Sequence, residues 1–328
     1  MRISDFSRYA LCVCAGVAVP AGCGGAGSSG SPAGPTQGLA GIGRPFAIGA
    51  VRERPLGLTR PSYSTKGSLV FEADLGQEDV NIYRTSDLSK NPAPIATLHT
   101  KTGCPDGLAA DKKGTLYVSD ECNGNDVEEF PKGSTIEKTI ITDGTDSPSG
   151  LAIDKKGTLY VSLYPAAIVE YAYGTTTPSQ TITGQGLKDP FGLALDKSDN
   201  LYIADFGADQ VFEVMYGSTT VTALNLKDLT EPLGVAIDQK TGYLWVTDGE
   251  GNKINVYELG NTSPVEEIPG NGFPYAVSIQ SKGKPHGTVV TSDVDTDTVY
   301  AFESGQYTPY ATLTDGISNP VSLLITKL

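Results

Sequence analysis

The chain has 328 residues with 39 Gly, 21 Pro and only 19% charged side chains, a composition that suits many short strands joined by turns. Its 24 Lys and Arg against 38 Asp and Glu leave a net charge of −14, which excludes the clustered cations that a nucleic-acid surface needs. That length accommodates one large or two ordinary domains.

Residues 1–23 read as a signal peptide: Arg2 and Arg8, a short apolar run from Ala10 to Val19, then Pro20-Ala21-Gly22-Cys23. The run is too short to span a bilayer. Its ending resembles a bacterial lipoprotein signal, which implies that Cys23 is acylated. Pro20 departs from the Leu usual there, and Asp5 is unusual in the charged end. The expectation is export and a lipid tether to the cell envelope, with plain secretion as the alternative and no other membrane contact. Cys12 and Cys14 then leave with the signal, so Cys104 and Cys122 remain as an even pair in an oxidising compartment. Residues 24–60, rich in Gly, Ser and Pro, read as a flexible linker. A formal G-x-G-x-x-G match from Gly25 to Gly30 has no strand before it and no helix after it, so it belongs to that linker.

From residue 61 one hairpin recurs. GLAADKKGTLYVSD starts at Gly107, GLAIDKKGTLYVS at Gly150, GLALDKSDNLYIAD at Gly192 and GVAIDQKTGYLWVTD at Gly234, with a looser copy from Ala276. The Asp and Gly between the two strands are turn chemistry: the carboxylate takes turn amides and Gly accepts positive φ. A proline stands two residues before each copy, at Pro105, Pro148, Pro190, Pro232 and Pro274, and Pro320 opens PVSLLI. The spacing is about 42 residues, with several short strands in each unit, which is the signature of a β-propeller blade.

In the unit from Pro190 the strands are Gly192 to Leu195 (a), Leu201 to Ala204 (b), Val211 to Val214 (c) and Val221 to Leu224 (d). Five units carry all four. Residues 68–74, 80–83 and 94–98 supply strands b, c and d without an a, while Pro320 to Ile325 supplies an a with nothing after it. The two fragments complete a sixth blade, so the fold class is all-β, a six-bladed propeller over residues 61–328 closed by pairing the first and last strands.

The pattern P-x-G-[LV]-A-x-D followed by L-Y-[VI]-x-D resembles NHL repeats and related six-bladed propellers. The resemblance implies architecture but not function, because such propellers include binding modules, lactonases and lyases. The Asn-x-Arg common before strand c in NHL repeats is replaced by Asp209-Gln210, Asn252-Lys253 and Asp297-Thr298.

Candidate chemistry is sparse. His99 and His286 fall on opposite faces, which argues against a paired-histidine mechanism. A Cys104–His99 nucleophile competes with a Cys104–Cys122 disulfide. If the hairpin ladder stays regular beyond Pro105, its register sets Cys104 opposite Cys122. Asp74, Asp120, Asp205, Asp248 and Asp293 each end a strand b, with Leu163 breaking the series. They either bond loop amides or form a ring of acids that binds a cation or cationic partner. Asp293, Asp295 and Asp297 are weak candidates for a divalent cation such as Ca²⁺; as an EF-hand loop they fail, with Thr298 where Gly is required and Ser304 where Glu is required. Tyr117, Tyr160, Tyr202 and Trp245 repeat at one position, as packing between blades demands.

The residue between the repeated Pro and Gly varies: Asp106, Ser149, Phe191, Leu233, Tyr275 and, in the closing strand, Val321. Its neighbours obey the repeat and it does not, which fits either a binding mouth at the central channel or a merely solvated rim. Acids crowd the loops on that face, while Lys112, Lys113, Lys155, Lys156, Lys197, Lys240, Lys282 and Lys284 occupy the opposite turns. The expectation is a monomeric, non-catalytic propeller that binds a protein or small ligand, cationic ones included, with no resident cofactor. The alternative is a gluconolactonase-like or streptogramin-lyase-like enzyme.

Overall fold

The computed structural model describes residues 62–122, 125–142, 146–280, 287–303 and 305–328. The signal, Cys23, the whole linker, His286, Lys282 and Lys284 lie outside the described residues. The described strands form six four-stranded antiparallel sheets, and one short 3-10 helix spans Thr85–Lys90. The innermost strands are Pro105–Ala110 (blade 2), Ser147–Ile153 (blade 3), Pro190–Leu195 (blade 4), Pro232–Ile237 (blade 5) and Pro274–Ile279 (blade 6). In blade 1 the innermost strand is the last of the chain, Pro320–Thr326, paired with Leu69–Asp74. The ring therefore closes as the two chain fragments require.

Local chemistry explains the hairpins. In blade 3 the Asp154 carboxylate accepts the amides of Lys156 and Thr158, each at 2.8 Å, and Gly157 completes the turn at φ +92°. Blade 2 repeats this with Asp111 and Gly114. The outer strands are the least regular. In blade 2 the outermost strand is Thr139–Thr142, and in blade 3 it is Gln180–Thr183.

The repeated Pro-x-Gly has two causes. Every a–b pair carries a bulge there: Pro105 faces Asp120 and Leu108 faces Val118, so Asp106 and Gly107 share Ser119 as partner. The glycine itself meets the next blade. A Cβ on Gly107 would lie 2.0 Å from the Ser149 carbonyl oxygen, and one on Gly150 would lie 2.0 Å from that of Phe191. Only a residue without a side chain lets adjacent innermost strands approach this closely.

A hydroxyl knits the joints after blades 2, 3 and 5. Ser119 Oγ accepts the Gly107 amide and donates to the Ser149 carbonyl at 2.6 Å. Thr247 Oγ1 accepts from Gly234 and donates to the Tyr275 carbonyl, both at 2.7 Å, and Ser162 donates to the Phe191 carbonyl at 2.7 Å. Blade 4 has Ala204 at this position. Between the blades, Tyr117, Tyr160, Tyr202 and Trp245 pack in separate apolar clusters, as their repetition predicts.

The bulge corrects the regular ladder expected beyond Pro105. Cys104 stands opposite Glu121, whose amide donates to the Cys104 carbonyl at 3.1 Å. The Cys104–Cys122 disulfide nevertheless forms, with Cα atoms 5.4 Å apart, because a diagonal neighbour is also within reach.

Candidate functional site

The bulge turns the variable residue of five of the six innermost strands toward the axis. Asp106, Phe191, Leu233, Tyr275 and Val321 line a central cavity of about 60 Å³. Ser149, buried, sits behind the wall, its carbonyl taken by Ser119 and its hydroxyl bonded to Asp106. Across this mouth Phe191 meets Tyr275 edge to face, with centroids 5.4 Å apart and planes at 90°. Phe206 backs Phe191 at 6.2 Å and Phe273 backs Tyr275 at 6.4 Å, so four rings form a continuous arc.

Carboxylates surround the arc. Asp106 is only 5% exposed; burial, then repulsion from Glu121, holds its carboxyl well above the usual range, against the Ser149 hydrogen bond. Glu121 is pushed up to about 7, chiefly by burial, with the Ser147 hydroxyl opposing and Asp120 adding to the shift. Glu231 is also raised to about 7, by burial and then by Glu250, Asp248 and Asp209. Burial and the fields of Asp106, Glu121 and Glu231 keep the Tyr275 phenol neutral. Sequence reading named Asp106, Phe191 and Tyr275 together. It set Glu121 and Glu231 among the acids of the loops on that face without singling them out, because loop residues carry no periodic signal of how close they come to the mouth.

The five strand-ending aspartates do something else than form a surface ring. Asp74, Asp120, Asp205, Asp248 and Asp293 are 0–2% exposed. Asp205 accepts the amides of Lys188, Asp189 and Ala208 at 2.8–3.0 Å, and Asp248 those of Thr230, Glu231 and Gly251 at 2.8–3.1 Å. Asp120 binds Thr102 and Cys104, Asp74 binds Gln77 and Ser318, and Asp293 binds Phe273 and Thr296. Asp74, Asp205, Asp248 and Asp293 each pin the loop entering their blade to the loop between strands b and c, and Asp120 holds the entering loop of blade 2. All five bond loop amides and are buried, so of the two readings the sequence offers the structure shows the loop clamps and not a surface ring of acids.

The divalent-cation candidates do not converge. Asp293 is held by Phe273 and Thr296, and Asp297 accepts the Asn319 amide at 2.8 Å. Among the described residues no group of three His, Cys, Asp or Glu is placed to hold a metal ion. His99 pairs through Nδ1 with Asp79 at the outer edge of blade 1. The disulfide removes Cys104 as a nucleophile. On the opposite face Lys112 and Lys155 each reach a backbone carbonyl of the following blade, and Lys113 lies 4.4 Å from the Tyr173 ring centroid.

The class this architecture defines is the six-bladed β-propeller. Solved structures agree. The chain aligns with one titled "Crystal structure of Nidogen/Laminin Complex" at TM-score 0.67 and 20% identity, covering 80% of this chain and 99% of that one. It aligns with a streptogramin B lyase at TM-score 0.58 and 13% identity, covering 81% and 89%. A protein of unknown function from Bacteroides caccae gives 0.60 and 12%, covering 79% and 99%. At these identities the likeness is one of fold. No family model matches the sequence, and no curated protein matches it either.

Proposed function

We propose that this chain is a non-catalytic binding propeller of the NHL type, tethered to the cell envelope through Cys23, and that its mouth takes a cationic group from a protein or small ligand. The observation that carries this reading is the aromatic arc of Phe191 and Tyr275 set among Asp106, Glu121 and Glu231. An ammonium or guanidinium gains from ring faces and from carboxylates at once, most where water is excluded. The nidogen propeller is seen with a protein partner, in line with a protein as ligand here.

The streptogramin-lyase or lactonase reading is the alternative, favoured by the lyases among the structural neighbours. It needs acid–base or metal-ligating groups at the axis, and among the described residues the cavity wall brings one carboxylate, Asp106, with no histidine, cysteine or lysine. Calorimetric titration with a lysine- and arginine-rich peptide tests the proposal. Binding should weaken with added salt and fall at least tenfold in Tyr275→Ala and Glu231→Gln. Equal binding by those variants, or turnover of a streptogramin B or a lactone by the wild type, would overturn it.

A further inference from the structure

Glu72 breaks the rule of its position. It sits in strand b of blade 1, opposite Asn81 on one side and Leu323 of the closing strand on the other. The residues in the same register of the other blades are Val118, Val161, Ile203, Val246 and Thr291. Glu72 is 0% exposed and lies on the side of blade 1 that packs against blade 6, where Val70, Tyr83, Leu323 and Ile317 are buried. One carboxyl oxygen accepts Asn81 Nδ2 at 3.1 Å; the other, Oε1, has no hydrogen-bond partner. The Tyr83 hydroxyl, in the same seam, is also buried without one.

We propose that the seam between blades 1 and 6 is a proton-dependent latch, closed while Glu72 carries its proton and opened when that proton is lost. The titratable and charged groups acting on the cluster are all acidic: Asp74 on the same strand, Tyr83 on the neighbouring strand and Asp315 in the loop leading to the closing strand. Among the described residues no cation acts on Glu72 to compensate its ionised form. A buried carboxylate without a countercharge costs several kcal/mol, whereas a neutral acid with one amide partner costs far less. Burial first, then Asp74, accordingly holds the Glu72 carboxyl well above the ordinary carboxylate range, and the Asn81 bond offsets only part of this.

The sign follows from linkage. The closed seam binds the proton more tightly than the open one, where Glu72 returns to about 4.3. Closure is therefore fully favoured at low pH and weakens by up to tenfold per pH unit above that value, until Glu72 ionises in the closed form. The opening is local because Pro320–Thr326 is held within its sheet by one neighbour only, the strand that carries Glu72.

Hydrogen exchange of the full chain, read by mass spectrometry from pH 6 to pH 9 and corrected for intrinsic exchange, tests this. Residues 320–326 and 69–74 should lose protection by about tenfold per pH unit, while Leu201–Asp205 of blade 4 should not. Glu72→Gln should remove the pH dependence from the seam. Glu72→Val, which installs the residue of three other blades, should keep the seam protected at every pH. The latch is refuted if Glu72→Val retains the wild-type slope, or if blade 4 loses protection in step with blade 1.

Discussion

Thr247 offers a quantitative test of what holds neighbouring blades together. It is fully buried, and its hydroxyl makes two bonds of 2.7 Å, from the Gly234 amide and to the Tyr275 carbonyl of the next blade. Thr247→Val keeps the shape and strands both backbone groups. Each buried group left unpaired costs about 1–3 kcal/mol, so the expected loss is roughly 2–5 kcal/mol. For a domain of this size that corresponds to a fall in Tm of about 6–15 °C. Thr247→Ser retains the hydroxyl and should lose only about 1 kcal/mol for the missing methyl. Ala204→Ser, which supplies the hydroxyl that blade 4 lacks, should raise Tm. Thermal melts followed by circular dichroism, with urea midpoints as a second measure, decide the matter. A Thr247→Val protein that melts within about 2 °C of wild type, with Ala204→Ser neutral, would refute the hydroxyl bridge as the source of cohesion.

Further tests address the clamps, the buried acids and the disulfide. Asp248→Ala removes the acceptor of three loop amides and should cost about 3–5 kcal/mol in urea unfolding, whereas loss of mouth charge alone would leave stability nearly unchanged. Glu128 is raised to about 8, mainly by burial, so its contribution to stability is intact below about pH 4.5 and is lost as pH rises toward 8. Urea midpoints across that range should fall for wild type and fall less for Glu128→Gln. Reducing Cys104–Cys122, or replacing both with Ser, should lower stability by roughly 3 kcal/mol, because a closed loop in the unfolded chain is released. An unchanged midpoint would show that the Asp120 clamp alone holds that segment.

Much of the ring was legible because Pro-x-Gly repeats a single steric demand: a bulge beside a neighbour too close for a side chain. Asp106, Phe191 and Tyr275 stood out for the opposite reason, being free of that demand. The aspartates could not be assigned from the sequence, since an acid that clamps amides and an acid that faces solvent occupy the same strand end. Asp205 and Asp248 were resolved only by the amides around them. The bulge was invisible to pair-counting because it shifts the register by one residue beyond Leu108. Glu72 was read merely as part of a strand, since its meaning depends on blade 6, more than 200 residues away in the chain.

The joint between blades 4 and 5 carries a mechanical consequence. A closed ring shares an applied load among its joints, and it parts where cohesion is lowest. The joints after blades 2, 3 and 5 are each pinned by a hydroxyl to the neighbouring carbonyl, and the joint after blade 4, at Ala204 and Leu233, is not. Blade 1, with Ala73 at the same place, lacks that bridge too, so a ring pulled apart should part at one of these unbridged joints, and the one after blade 4 lies beside Phe191 and the aromatic arc. Whatever occupies the mouth would then act as a splint across an unbridged joint of the hoop, and resistance to force would report occupancy.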